Sequence, residues 1–481
     1  MNRKMVYYLT GRIILLEGAL LLAPLAVSLI YRDNGIIPFL ITIGICALIG
    51  GLLSLLFRNH STMIFAKEGF LITALAWVSL SLIGAIPFVL SGEIPNYIDA
   101  FFETVSGFTT TGASILADVE SKSHSILFWR SFTHWMGGMG ILVLMVAIIP
   151  NLSGRTIHVL RAEMPGPTMG KLVPKLRDTA KILYYIYFVL TLLEFILLML
   201  GGMPTFDSAV HALGTAGTGG FGIKNDSITS YSAYHQWVIA AFMMLFGVNF
   251  NLYYLLILRR FRSVFRSEEF WTYVTVVLAA TGLVTWNILS IYGSLPEAVR
   301  QAFFQVNTVV STTGFSTADF NAWPELSKTV LVLLMFMGGC AGSTAGGLKV
   351  ARLVMLYKTV RRELRHLLHP RSVSAVRFEG KALDDGTLVS VGNYFALYMG
   401  LFVLFLLIVS FQPGFDILSN FTAVASCFNN IGPGLAKVGP TANFSAYRPM
   451  IKLALAFAML FGRLEIYPML ISMSPSSWTR K

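Results

Sequence analysis

The chain has 481 residues, of which 55% are hydrophobic and only 12% charged. A soluble domain carries roughly 25% charged residues, so the composition excludes a water-soluble globular fold and leaves a polytopic membrane protein. The formal charge of +12 does not point to nucleic acid, because the basic residues cluster in loops between apolar runs.

The first apolar run, 13–30, follows Arg3, Lys4 and Arg12 and has no small-residue cleavage site, so it reads as a retained span rather than a signal peptide. Runs long enough to cross a bilayer continue at 36–57, 70–91, 127–149, 180–202, 235–258, 271–293, 327–359 (interrupted), 389–411 and 447–472, which gives ten expected spans. Four shorter, mixed segments at 98–111, 206–219, 299–313 and 418–431 do not fit as spans. Twelve helical residues cover roughly 18 Å, about half of the membrane. They are read as re-entrant half-helices, tolerated at depth only where protein or a wet cavity surrounds them.

Each half-helix segment runs into a glycine: Gly112, Gly220, Gly314 and Gly432, about a hundred residues apart. The loops are Phe108-Thr-Thr-Thr-Gly-Ala-Ser114, Gly217-Thr-Gly-Gly-Phe-Gly222, Ser311-Thr-Thr-Gly-Phe-Ser316 and Asn429-Asn-Ile-Gly-Pro-Gly434. Aligned on the glycines, position −11 holds Phe101, Ala209, Phe303 and Phe421, and position −2 holds Thr110, Thr218, Thr312 and Asn430. The expected fold class is therefore an all-α polytopic membrane protein. Four divergent span–half-helix–loop–span units surround a central pore, behind two extra N-terminal spans. The expected divisions are 1–60 for the leading spans, then 61–150, 151–262, 263–370 and 371–481 for the four repeats.

Loops of small and hydroxyl residues present mainly backbone carbonyls, and rings of carbonyls replace the water shell of a cation. The expected ion ligands are Thr110, Thr111 and Gly112; Thr218, Gly219 and Gly220; Thr312, Thr313 and Gly314; and Asn430, Ile431 and Gly432. Glycine suits a carbonyl-inward loop that needs positive φ, and each half-helix would aim its negative C-terminal end at the ion. The competing reading, glycine packing at helix crossings, accounts poorly for four copies at one offset.

A second constellation is Gly338-Gly-Cys-Ala-Gly-Ser-Thr-Ala-Gly-Gly347, in the middle of the interrupted span. It fails as a phosphate loop, because Leu348 follows Gly347, Lys349 is one place late and Val350 replaces the Ser/Thr. It is read as a polar, flexible barrier beneath the third loop, with Gly338, Gly339, Gly342, Ser343, Thr344, Gly346 and Gly347 as gate residues. Lys349 either reaches toward this loop or snorkels to the interface. Arg463, in Phe461-Gly-Arg-Leu-Glu465, is a charge inside the last span and needs a cavity or partner. It is read as a pore cation below the loops. Glu17 and Glu194 are expected to make hydrogen bonds within the bundle, and His134 to pack at an interface. The cysteines Cys46, Cys340 and Cys427 form no disulfide or metal pattern.

Lys and Arg counts set the orientation. Segments 151–181, 259–270 and 349–388 are strongly basic and are expected in the cytoplasm, as are both termini. The opposite face carries most loop acids, Glu93, Asp99, Glu103, Asp118, Glu120, Asp207, Asp226, Glu297, Asp319, Glu325 and Asp416, an expected acidic vestibule that concentrates cations.

With its four loops and two extra leading spans, the chain resembles the Trk/Ktr/HKT superfamily of potassium transporters, and among them the bacterial Trk-type membrane subunit. The resemblance covers essentially the whole chain and is weakest over the first 60 residues. It implies potassium uptake across the bacterial inner membrane, with the four loops as selectivity filter. Glycine rather than serine at Gly112 implies potassium over sodium. It also implies gating by the loop at Gly338–Gly347, a matching arginine at Arg463, a homodimer, and a cytosolic nucleotide-binding regulatory ring of the TrkA type. Asn430 and Ile431 depart from the Thr-Thr pattern of the first and third loops. Membrane lipid is the other expected partner, with potassium as substrate and no cofactor. The alternative is a carrier coupling potassium to protons or sodium, which usually places acids near the midplane in inverted repeats; here the repeats run in parallel and no acid lies in a loop. A membrane enzyme is disfavoured, since neither HExxH nor GxSxG occurs.

Overall fold

The computed structural model describes residues 2–59, 65–140, 176–372 and 374–478. The far end of the expected span 127–149 and the basic stretch 151–175 lie outside the described residues. The architecture is all-helical apart from a two-strand hairpin, Arg377–Phe378 with Lys381–Ala382.

The two leading spans are Arg3–Leu20 with Leu22–Tyr31, and Ile36–Leu56. They pack closely because small residues meet: a methyl group on Gly18 would sit 2.8 Å from Cys46 Cβ, and one on Gly50 would sit 2.8 Å from the Gly11 carbonyl. This is how helices associate where apolar surface gains nothing by leaving lipid.

Four span–half-helix–loop–span units follow. Their first spans are Ala66–Gly84 extended by Ile86–Leu90, then Leu176–Leu200, Glu268–Tyr292 and Asp385–Val409. The half-helices are Tyr97–Phe108, Thr205–Ala216, Leu295–Val310 and Ile417–Asn429. Their N-termini explain much of the acidity on that face. Asp99, Asp207 and Glu297 lie in first turns, and Asp416 caps the fourth half-helix through Ser419 N. Carboxylates there complement the helix dipole and satisfy orphan N–H groups.

The second spans differ from expectation. Among the described residues six helices are long and apolar enough to cross a membrane, seven if one bent pair counts as a span, rather than ten. One of the remaining expected spans, 127–149, lies partly outside the described residues, and the second spans of the other three repeats break. In the second repeat Ala233–Phe246 and Phe250–Ile257 meet at 92°, where an unbroken span was expected. In the third, Glu325–Met335 and Val350–Leu368 flank the expected interruption. In the fourth, Pro449–Arg463 ends at Glu465 and Ile466, both at positive φ, before Tyr467–Met473.

Candidate functional site: a ring of four loops

All four half-helices end in the same hydrogen-bonded cap. Thr111 N donates to Ser106 O at 2.8 Å, Gly219 N to Gly214 O at 2.9 Å, Thr313 N to Thr308 O at 2.8 Å and Ile431 N to Ser426 O at 2.9 Å. The residue before each donor is left-handed: Thr110, Thr218, Thr312 and Asn430 have φ of 54°, 54°, 56° and 57°. This is a Schellman cap, in which glycine usually takes the left-handed place. The residue after each donor is the aligned glycine, with φ of 79°, 79°, 89° and 103° for Gly112, Gly220, Gly314 and Gly432. The fourfold pattern read from the glycines is thus a fourfold backbone conformation.

The loops close into a ring. A methyl group built on Gly112 would fall on the carbonyl oxygen of Gly219, one on Gly220 on that of Thr313, and one on Gly314 on that of Ile431. On Gly432 it would lie 2.8 Å from the carbonyl oxygen of Thr111, which returns the sequence of contacts to the first loop. Each glycine therefore faces the carbonyl of the residue preceding the next glycine. The flanking segments interlock in the same order. Val119 N bonds Asn225 Oδ1 at 2.8 Å, Ile228 N bonds Ser316 O at 2.9 Å, Ala436 N bonds Asn321 Oδ1 at 2.9 Å and Phe444 N bonds Ser114 O at 2.8 Å. No carboxylate belongs to the ring, and the site is built from backbone oxygens, the ligand type that suits a dehydrated monovalent cation.

Above the ring, on the side where the half-helices begin, lies a cavity of about 130 Å³ walled by the four glycines and the segments that follow them. The charged side chains on its wall, among the described residues, are Arg130 and Lys224. The acids are used elsewhere: Asp99 pairs with Lys452 at 2.7 Å, Glu103 is buried against Arg130, Asp118 and Glu120 hold Asn225, and Asp207 holds the Tyr231 hydroxyl.

Three buried side chains that sequence reasoning did not assign to the site support it. Glu103 and Arg130 pair at 2.8 Å with side chains essentially inaccessible to solvent. Glu103 accepts from Ser114 Oγ and Ile115 N, both at 2.9 Å, while Arg130 donates to Gly222 O and lies over the Phe221 ring at 4.1 Å. The pair straps the first loop to the second. His134, expected to be a packing residue, bridges the same two units. Its Nδ1 lies 2.8 Å from Gly107 O and its Nε2 accepts from Phe221 N at 3.3 Å, which assigns the proton to Nδ1. The glycine alignment carries a signal for part of this: position −9 holds Glu103, His211, Gln305 and Ala423, polar in three of four.

Below the ring, the segment Gly338–Gly347 is anchored by hydrogen bonds on several sides. Gly346 N donates to Thr312 Oγ1 at 2.6 Å, joining it to the third loop of the ring. Cys340 N donates to Gly247 O at 2.9 Å and Phe250 N to Gly342 O at 3.1 Å, at the break in the second repeat. Ala341 N donates to Glu269 Oε1 at 2.6 Å. Gly338, Gly342 and Gly347 use positive φ of 71°, 74° and 74°. Of the expected gate residues with side chains, Ser343, Thr344 and Lys349 are buried; Lys349 donates to Ala345 O within the segment and does not snorkel to the interface. Arg463 donates to Thr344 O at 2.8 Å and to Gly137 O and Gly138 O at 2.6 and 2.7 Å, tying the last span to this segment and to the first repeat. Glu465 turns away and pairs with Arg352 at 2.5 Å. A cavity of about 40 Å³, room for a few waters, lies between Arg463, Lys349 and the glycine segment. Glu17 departs from expectation, being fully buried with no hydrogen-bond partner among the described residues.

Four half-helices converging on a backbone-carbonyl ring inside one helical chain define a membrane protein of the pore-loop type. The family model described as "TrkH: Cation transport protein" matches residues 36–480, and the chain belongs to that family. The chain is 38% identical to the Trk system potassium uptake protein TrkH of Salmonella typhimurium over 99% of this chain and 100% of that one, and equally to TrkH of Escherichia coli K12. It is 34% identical to the E. coli protein TrkG, over 99% of this chain and 98% of that one. The crystal structure of the potassium transporter TrkH from Vibrio parahaemolyticus superposes with a TM-score of 0.89 at 34% identity, covering all of both chains. The chain is therefore a membrane transport protein and not an enzyme.

Proposed function

We propose that the chain takes up potassium across the bacterial inner membrane through a gated pore within the single chain, with the four loops as its selectivity filter. The observation that carries this reading is the closed succession in which each glycine meets the next loop's carbonyl. Such a ring offers dipoles without net charge, and Thr110–Gly112, Thr218–Gly220, Thr312–Gly314 and Asn430–Gly432 are its proposed ligands. The relatives' names as potassium uptake proteins support the choice of ion. The segment Gly338–Gly347, with Lys349 and Arg463, is the proposed barrier. Both termini and the basic segments face the cytoplasm, so the filter opens outward. The protein works as a homodimer without a cofactor of its own, and a nucleotide response comes from a cytosolic TrkA-type ring.

Purified protein in planar bilayers tests this reading. Unitary currents too large for a carrier, with bi-ionic potentials favouring potassium over sodium, are expected. Electroneutral flux that follows a proton or sodium gradient would refute the pore.

A further inference from the structure

We infer that the glycine level of the ring is a three-plus-one site, in which Ser426 holds the Gly432 carbonyl out of full coordination and thereby sets how tightly the ion binds. This rests on the filter reading above and assigns to one hydroxyl the inequality of its four parts.

Ser426 Oγ donates to Gly432 O at 2.5 Å, fully buried. Ser426 stands on the half-helix behind its loop, so this bond draws the carbonyl toward the scaffold. Among the described residues no hydrogen bond reaches the carbonyls of Gly112, Gly220 or Gly314. A hydroxyl at this place is not enough to make the bond. The aligned positions hold Ser106, Gly214 and Thr308, and the hydroxyls of Ser106 and Thr308 have no partner among the described residues.

What differs in the fourth loop is the backbone. Gly432 is followed by Pro433, where the other loops have Ala113, Phe221 and Phe315. A proline pushes the residue before it out of the helical region, and Gly432 has the largest φ of the four, 103°. Its contact to the next carbonyl is also the widest in the ring. The loop is not slack, because Asn430 Nδ2 donates to Thr111 Oγ1 at 2.9 Å and to Met459 O at 3.0 Å. The turned carbonyl is therefore a held conformation.

A cation at this level receives three free glycine carbonyls, while the fourth has its dipole already engaged. The ion keeps part of its water shell on that side, binds less tightly and leaves more easily, as conduction requires. Removing the hydroxyl frees the fourth carbonyl.

The test titrates detergent-purified protein with potassium chloride by calorimetry and measures potassium/sodium permeability ratios in bilayers. Ser426→Ala is expected to tighten potassium binding about five-fold, the equivalent of one net hydrogen bond, to raise the permeability ratio and to lower unitary current. Ser426→Thr keeps the hydroxyl and is expected to match the wild type, and Ser106→Ala is expected to change neither quantity. Unchanged binding in Ser426→Ala, or an equal shift in Ser106→Ala, overturns the inference while a potassium-selective wild type leaves the pore reading intact. A wild type without potassium current overturns both.

Discussion

Replacing Arg463 by alanine tests the barrier most directly. Its guanidinium joins the carbonyl of Thr344, in the glycine segment, to the carbonyls of Gly137 and Gly138, in a different repeat. Of these three bonds, the one to Thr344 is lost when the segment moves alone, so it sets the part of closure that this contact contributes. A hydrogen bond from a charged group is worth about 1.5–3 kcal/mol net; Arg463 is half-buried, which favours the lower end. The open-to-closed ratio of Arg463→Ala should rise about ten-fold. On the proposed pore reading, removing a positive charge beneath the four loops should also raise conduction, so the two effects must be separated. Single-channel recording does this, since open probability reports the bond and unitary current reports the charge. Arg463→Gln retains an amide donor without the charge and should raise the current with a smaller gain in open probability. If Arg463→Ala leaves open probability within two-fold of the wild type, the contact to Thr344 does not restrain the segment.

Two further perturbations follow from the geometry of the ring. Alanine at Gly112, Gly220 or Gly314 places a methyl group on a neighbouring carbonyl oxygen at a positive φ, whereas at Gly432 the nearest oxygen is 2.8 Å away. Gly432 carries the largest positive φ, 103°, and its contact is still too short for a Cβ, so potassium uptake by a potassium-requiring host should be abolished by all four changes; near-normal uptake with alanine at any one of them would contradict the ring geometry. Arg130→Met leaves the buried Glu103 without its partner and should cost about 3–5 kcal/mol. The double change Glu103→Gln with Arg130→Met should recover a large part of that loss in thermal stability measured in detergent. Additive losses would show that the two side chains do not act as a pair.

The half-helices were legible because they break two patterns at once. They are too short and too mixed to be spans, and each runs into a glycine after the same offset. The cap conformation was legible only in outline. Glycine at positions 112, 220, 314 and 432 announces positive φ, but threonine at 110, 218 and 312 does not, since a left-handed β-branched residue is rare. The breaks in the second spans were hidden for a different reason. Gly247 and Gly462 are single glycines in apolar runs, which helices in membranes commonly tolerate. What opens the chain at Gly247 is tertiary: its carbonyl accepts from Cys340 N, 93 residues away (340 minus 247). The strap of Glu103, Arg130 and His134 was hidden because its partners come from two repeats. The loop acids had a second use that their residue type does not disclose, since Asp99, Asp207, Glu297 and Asp416 stand at the half-helix N-termini.

The left-handed threonines carry a cost that bears on how filter and barrier communicate. Holding an L-residue in this conformation costs roughly 1–2 kcal/mol, and such strain persists only where the surroundings over-determine it. The four residues at this position are not held alike. Asn430 is fastened by its side chain to the first loop and to the last span, and Thr218 donates to its own neighbour, Gly217 O, at 2.6 Å. Thr312 instead accepts the N–H of Gly346, so part of what holds the third loop comes from the segment below it. On the proposed gating reading, a movement of the segment that displaces Gly346 breaks this bond. It leaves a strained residue of the ring with less support and a buried N–H in need of another acceptor. Coupling of this kind is reciprocal: a cation that steadies the third loop favours the placed segment, and a displaced segment weakens the hold on the cation. The third repeat is where this coupling enters, because its second span is the one that unwinds beneath the ring.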